Sequence, residues 1–234
     1  MVRGWHHEGM DVLGNREILK TIDAGLGEWR KLAQPLMARY RVADGVRGAE
    51  FAAAVAREAV ACGYEVPEIR LGPGFVDVTL YTVDAHSGRR RVTDSDIDRA
   101  RCVSRLAAEH GLSAHPGEVT QIELVLDTPS AVEMGPFWSA LLTGDRDRAL
   151  VRDTVFDSTN RVPSTWFQAT GQHPTPRQRW HIDLWLAPET ADERIARALA
   201  AGGTVVDDTH APSFTVLADP DGNRVCVCTA LDRV

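Results

Sequence analysis

The chain is short of everything that would direct it toward nucleic acid, lipid or an oxidising compartment. Its 33 acidic residues outnumber 26 Lys and Arg, leaving a net charge of −7. No basic surplus exists to neutralise phosphates, so nucleic acid is not an expected partner. No apolar run approaches the roughly 18 residues that cross a bilayer, and the opening MVRGWHHEGM lacks the apolar stretch of a secretion signal. These absences lead to the expectation of a cytoplasmic protein without a membrane partner. Only four cysteines occur, Cys62, Cys102, Cys226 and Cys228, so no disulfide framework is expected. Cys226 and Cys228 alternate in an apolar run, where small thiols are commonly buried, and C-V-C lacks the CxxC spacing of a zinc motif.

What is present is ordinary globular material, 44% hydrophobic and 25% charged, in 234 residues that suit two domains of about 100 to 120 residues each. Residues 1–14, including His6 and His7, show no period and are expected to form a tail. From Asn15, placed as a helix cap, Ile18 and Leu19 begin an apolar stripe that Leu26 and Trp29 continue after a glycine break. Phe51, Val55, Ala59 and Cys62 recur at helical spacing between Asp44 and Gly63. Two strands are predicted at 68–71 and 75–83 around Gly-Pro-Gly. A third helix opens at Thr93, with Asp96 in capping-box position and Ile97, Ala100, Val103 and Leu106 along one side. The domain is read as 15–111, an α+β layout with helices on one face of an antiparallel sheet. The sheet's free edge offers a route to a homodimer. Residues 112–118, with His115, Pro116 and Gly117, read as a linker to a domain spanning 119–234.

The second domain carries an internal repeat. QIELVL (121–126) and HIDLWL (181–186) match at four of six positions if Glu and Asp count as alike. Each run precedes a helix candidate, at 132–142 and 191–201. Short strands follow, at 154–157 and 165–169 in one half and at 204–207, 214–218 and 224–229 in the other. This is a duplicated strand–helix–strands unit, βαβββ. Two such units curl into a cup whose inner face takes alternate strand positions. In the simplest register Gln121 lies opposite His181 and Glu123 opposite Asp183, so oxygen and nitrogen donors converge where they could hold a divalent ion or move protons. Asp219 to Asn223 reads as a turn, and Trp138, Trp166, Trp180 and Trp185 suit a core or the walls of a planar-ligand site.

The phrases LVLDTP, PFWSALLTG, RWHIDL and ADPDGNRVCV resemble the glyoxalase-like branch of the vicinal-oxygen-chelate superfamily over about 119–230. The resemblance implies a cup-shaped module. In its metal-using members, a His or Gln of the first strand, a Glu of a later strand, a His of the fifth and a Glu of the last hold the ion. Carried over, these positions fall on Gln121, near Gln168, on His181 and near Cys226, so both carboxylates are replaced. Gln121 and His181 are the ligands the resemblance retains.

In the first domain LGEWR, RYRV, EFAAAVAREA, VDVTLYTVD and VTDSDIDRA resemble pterin-4a-carbinolamine dehydratase over about 15–109. That family uses a His-His-Pro motif and a further His after the long strand, histidine being suited to proton transfer near neutral pH. Here the aligned positions are Glu65-Val66-Pro67 and Val83, leaving Glu65, Asp84 and the neighbouring His86 as substitutes. A noncatalytic role for this domain follows most simply. The expected function is small-molecule metabolism of lyase or isomerase type, with His181, Glu123 and Asp183 catalytic and Gln121, Gln168 and Trp185 lining the ligand. A binding protein without turnover and a 4a-hydroxytetrahydropterin dehydratase are the alternatives.

Overall fold

The computed structural model describes residues 12–84, 89–132, 135, 138–139, 150–157, 160, 162–171, 180–200, 203–218 and 224–233. The tail histidines His6 and His7, the loop residue His86, the turn at 219–223 and most of the helix expected at 132–142 lie outside them. The protein is mixed α+β and divides into two compact units, Met1–Val119 with Arg233–Val234, and Thr120–Asp232.

In the first unit α1 (Asn15–Gly25) starts one residue earlier than a cap at Asn15 would require. Gly14 is the N-cap and no side chain caps it. The Gly14 carbonyl takes the first helical bonds, from the N–H groups of Glu17 and Ile18. Leu26 and Trp29 do not extend a helical stripe. Trp29 enters a strand, β1 (Trp29–Lys31), which hairpins onto β2 (Leu36–Arg41). This hairpin corrects the helix-only reading of the segment, and its signal is the alternation in which Leu36, Ala38 and Tyr40 are buried.

Helix α2 (Gly45–Ala61) is capped by Asp44, whose side chain accepts from the Arg47 N–H, and Gly63 follows at φ +74°, a conformation glycine adopts without a steric penalty. Strands β3 (Glu68–Gly72) and β4 (Phe75–Leu80) form the hairpin around Gly-Pro-Gly. The long strand expected to run through Val83 breaks at Tyr81. Beyond the break, β5 (Thr82–Val83) pairs instead with β6 (Arg90–Arg91). Helix α3 (Asp94–Glu109) has the capping box at Thr93 and Asp96 in both directions.

The main sheet runs β1-β2-β4-β3, all antiparallel. Ile18, Trp29, Tyr40, Phe51, Val76, Val78, Ile97 and Val103 join in one core. The segment 112–118 is not a free connector. Its β7 (Ser113–Ala114) pairs with β2, and the 3₁₀ turn Pro116–Glu118 places Glu118 2.6 Å from Arg41. Backbone pairing and this ion pair hold the segment against the first sheet.

The second unit is an eight-stranded sheet: β8 (Thr120–Thr128), β9 (Leu150–Val151), β10 (Thr154–Val155), β11 (Thr165–Ala169), β12 (Trp180–Leu186), β13 (Thr204–Asp207), β14 (Phe214–Ala218) and β15 (Arg224–Cys228). The order β13-β14-β15-β12-β8-β11-β10-β9 reads as the same four-strand pattern from both ends. In each half the leading strand pairs parallel with the last one or with its counterpart, β8 with β11 and β12 with β15. The leading strands β8 and β12 meet antiparallel at the centre.

Helix α4 (Pro188–Ala200) presents Ala191, Ile195 and Ala198 to Leu184, Leu186, Leu217, Val225 and Val227. Side chains alternate across a strand. Packing Leu184 and Leu186 of β12 under α4 therefore sends His181, Asp183 and Trp185 to the other face.

Candidate functional site

The register of the two central strands decides which side chains meet. Asp183 is paired with Glu123, as the repeat leads one to expect, but Gln121 is paired with Trp185 and His181 with Val125. The reason is the antiparallel direction. Positions equivalent in the repeat coincide across the ladder only at its centre, and they move apart in opposite directions from there. Gln121 and His181 are thus four ladder steps apart along the strands, roughly 13 Å at about 3.3 Å per residue. They do not converge. Gln168, in register with Asp127 on β11, is exposed.

What does converge is carried by the odd positions of β8 and β12 and their partner on β15. Glu123 and Asp183 are buried, at 6% and 7% exposure. The Trp185 indole N–H donates to Glu123 Oε2 at 3.0 Å, which makes this tryptophan a buried clamp on the carboxylate. Directly opposed positions on antiparallel strands hold their Cβ atoms about 4.5–5.5 Å apart, and like charges there repel. The sheet thus sets two acidic groups at its centre on the face turned away from α4.

His181 lies between two further carboxylate contacts. Its Nε2 is 3.7 Å from Asp183 Oδ1 and its Nδ1 is 3.8 Å from Asp127 Oδ1. Both distances exceed hydrogen-bond length, and Asp127 Oδ1 is buried without a hydrogen-bond partner. The Trp166 ring stands edge-on to the imidazole, with centroids 6.3 Å apart. On β15, Cys226 is in parallel register with Asp183. Donor atoms of His181, Asp183 and Cys226 all lie within 4.8 Å of one another.

The four positions that the family resemblance suggests for a divalent ion are therefore not assembled as a set, since Gln121 and Gln168 stand apart from His181 in the ladder. Two of the four, His181 and Cys226, do come together, joined by Asp183 through the pairing of β12 with β15. Asp127 escaped the sequence reading, although it shares the parity of Gln121, Glu123 and Val125 and so was assignable to their face. Cys226 carried no spacing signal of its own, because its partner lies in another strand.

In the first unit Glu65 and Pro67 line a crevice between α2 and α3, together with Glu58, Arg99 and Cys102. Burial, followed by the hydrogen bond to Glu58, raises the Cys102 thiol above its usual range. Asp84 is not among the residues lining the crevice; its N–H closes the β5–β6 turn on the Arg89 carbonyl.

Comparison with known proteins places this geometry. Residues 123–228 match the family described as the glyoxalase-like domain. The match supports a vicinal-oxygen-chelate-type fold for the second unit, in keeping with its mirrored strand order. Among solved structures, a transcriptional coactivator/pterin dehydratase from Brucella melitensis is similar at 29% identity, over 42% of this chain and 99% of that chain, with a TM-score of 0.35. No curated protein matches the chain. Among the described residues no helix is long and apolar enough to cross a membrane.

Proposed function

We propose that the second unit is an enzyme of small-molecule metabolism, of lyase or isomerase type, working on the face of the β8–β12 ladder opposite α4. The observation that carries this reading is the buried Glu123–Asp183 pair with His181 alongside. A carboxylate that has left bulk water is a stronger base, and an electropositive group nearby stabilises the oxyanion that proton removal creates. Applied to a carbonyl compound, Glu123 takes the proton from the carbon next to the carbonyl and the C–H electrons pass into an enolate. The polar group at His181 faces the oxygen. Return of the proton to the neighbouring carbon gives an isomer, and departure of a β-substituent gives a lyase product.

The test is exchange of the α-protons of dihydroxyacetone and hydroxyacetone with D2O, followed by NMR. Exchange above buffer is expected, with Glu123→Gln slower by about 100-fold or more, the usual range for loss of a general base. A ligand held without turnover is the second reading, favoured by Trp166 standing against His181, a wall suited to a planar molecule. Absence of exchange with both compounds, combined with ligand-induced quenching of tryptophan fluorescence, would move the assignment to that reading.

A further inference from the structure

We infer that Arg224 selects the substrate on this face, and that the substrates it selects are 2-oxo acids, compounds with a carboxylate beside the reactive carbonyl. The inference rests on the small-molecule reading of the same face and supplies the chemical class on which that reading acts.

Strand parity puts Arg224 there. Val225 and Val227 pack with α4, so alternation sends Arg224, Cys226 and Cys228 to the opposite face. The position of Cys226 agrees, its sulfur lying within 4.8 Å of donor atoms of His181 and Asp183. Arg224 immediately precedes Val225, the parallel partner of Ile182, and so comes alongside His181 as Cys226 comes alongside Asp183. Arg224 is exposed, open to a ligand arriving on that side of the strand.

The charge of the face gives this cation a use. Glu123, Asp127 and Asp183 stand on the odd positions of β8 and β12, where their fields repel an anion. Among the described residues, β8, β11, β12, β14 and β15 bring no other Arg or Lys to this face. A guanidinium stays charged at every working pH, and its planar fork matches a carboxylate in two parallel bonds. It can therefore hold one acidic group on a face that otherwise rejects anions.

Strand order then shapes the ligand. β8, β12 and β15 are neighbours in the sheet, about 4.8 Å apart, and contribute in turn Glu123, His181 and Arg224. Base, polar group and cation thus follow one another across the strands. A 2-oxo acid presents its C–H, its carbonyl oxygen and its carboxylate in the same order, on three consecutive carbons. With the carboxylate on Arg224 and the oxygen toward His181, the carbon that loses its proton falls on the Glu123 side. A simple ketone has the reacting atoms but lacks the group that aligns them, and alignment is worth rate.

The experiment follows exchange of the methyl protons of pyruvate and of pyruvamide with D2O by NMR, using the full chain. The two probes differ in charge and hardly in shape. Once buffer exchange is subtracted, wild type is expected to favour pyruvate in kcat/KM by about 10- to 100-fold, the range of a hydrogen bond to a charged group. Arg224→Gln brings that ratio to one or below, with the loss falling on KM for pyruvate, and Arg224→Lys keeps part of the preference. Both probes are compared within each variant, so damage to the fold lowers both rates and leaves the ratio. A wild-type ratio near one, a ratio unchanged in Arg224→Gln, or exchange confined to dihydroxyacetone and hydroxyacetone overturns the inference while upholding the enzyme reading. Where none of the four compounds exchanges, the enzyme reading falls, and the same pair is compared by quenching of tryptophan fluorescence. Tighter binding of pyruvate, lost in Arg224→Gln, then keeps Arg224 as the carboxylate anchor of a binding protein, whereas equal or absent binding of the two probes removes it.

Discussion

Glu123 receives the indole N–H of Trp185 at 3.0 Å while both side chains are buried, so a carboxylate at the centre of the sheet is anchored by a residue two positions beyond its own cross-strand partner. The bond fixes the acid where a ligand on this face would meet it. Removing a partner from a buried polar group leaves that group's desolvation uncompensated.

Trp185→Phe keeps most of the apolar volume and deletes the donor. Destabilisation of about 1–3 kcal/mol is expected in urea unfolding. Glu123→Gln should be milder, because the amide oxygen still accepts from the indole. Equal losses from the two variants would show that the ring's packing, not its N–H, is what matters.

Arg39 and Asp77 pair across β2 and β4, with Nε and Nη2 at 2.6 and 2.7 Å from the two carboxylate oxygens. Asp77 is buried, and the guanidinium also lies over the Phe75 ring at 4.1 Å. Asp77→Ala strands that cation and should cost about 3 kcal/mol. Combining it with Arg39→Met should recover part of the loss. A double variant as unstable as the sum of the singles would mean that the ion pair contributes nothing of its own.

The hydrogen bond from Arg41 holds the Glu118 carboxyl below its ordinary value of 4.5, with Arg39 and His115 adding in the same direction. A folded-state pKa below the unfolded one means stability that is present above the unfolded pKa and lost as pH falls through the folded one. Wild type should therefore exceed Glu118→Gln by about 0.2–1 kcal/mol at pH 7, the range of an exposed ion pair. That margin should shrink as the pH drops below 4.5. Chemical denaturation at pH 7, 4.5 and 3 checks it, and a margin independent of pH would assign the effect to something other than ionisation.

Local signals carried much of the architecture. The Thr93–Asp96 capping box, Gly63 after α2 and the Gly-Pro-Gly hairpin are contacts within a few residues, and short-range sterics and hydrogen bonds select them wherever the chain goes. The β1–β2 hairpin was harder to see, because β1 has three residues and Leu26 and Trp29 sit at helical spacing. Only the pairing of Trp29 with Ala38 across the hairpin, with its ring in the core, resolved that ambiguity.

The repeat made by QIELVL and HIDLWL is plain in the sequence, and so is the parity that puts Glu123, Asp127, His181 and Asp183 on equivalent strand positions. Strand direction is not. Antiparallel pairing of β8 with β12 brings Glu123 to Asp183 and separates Gln121 from His181. Parallel pairing of β12 with β15 brings Cys226 to Asp183 from 43 residues away. Composition and periodicity thus determined the elements and the side of each strand on which a residue lies. Which residues face one another was decided by hydrogen-bonded register between strands distant in the chain, a property no local pattern encodes.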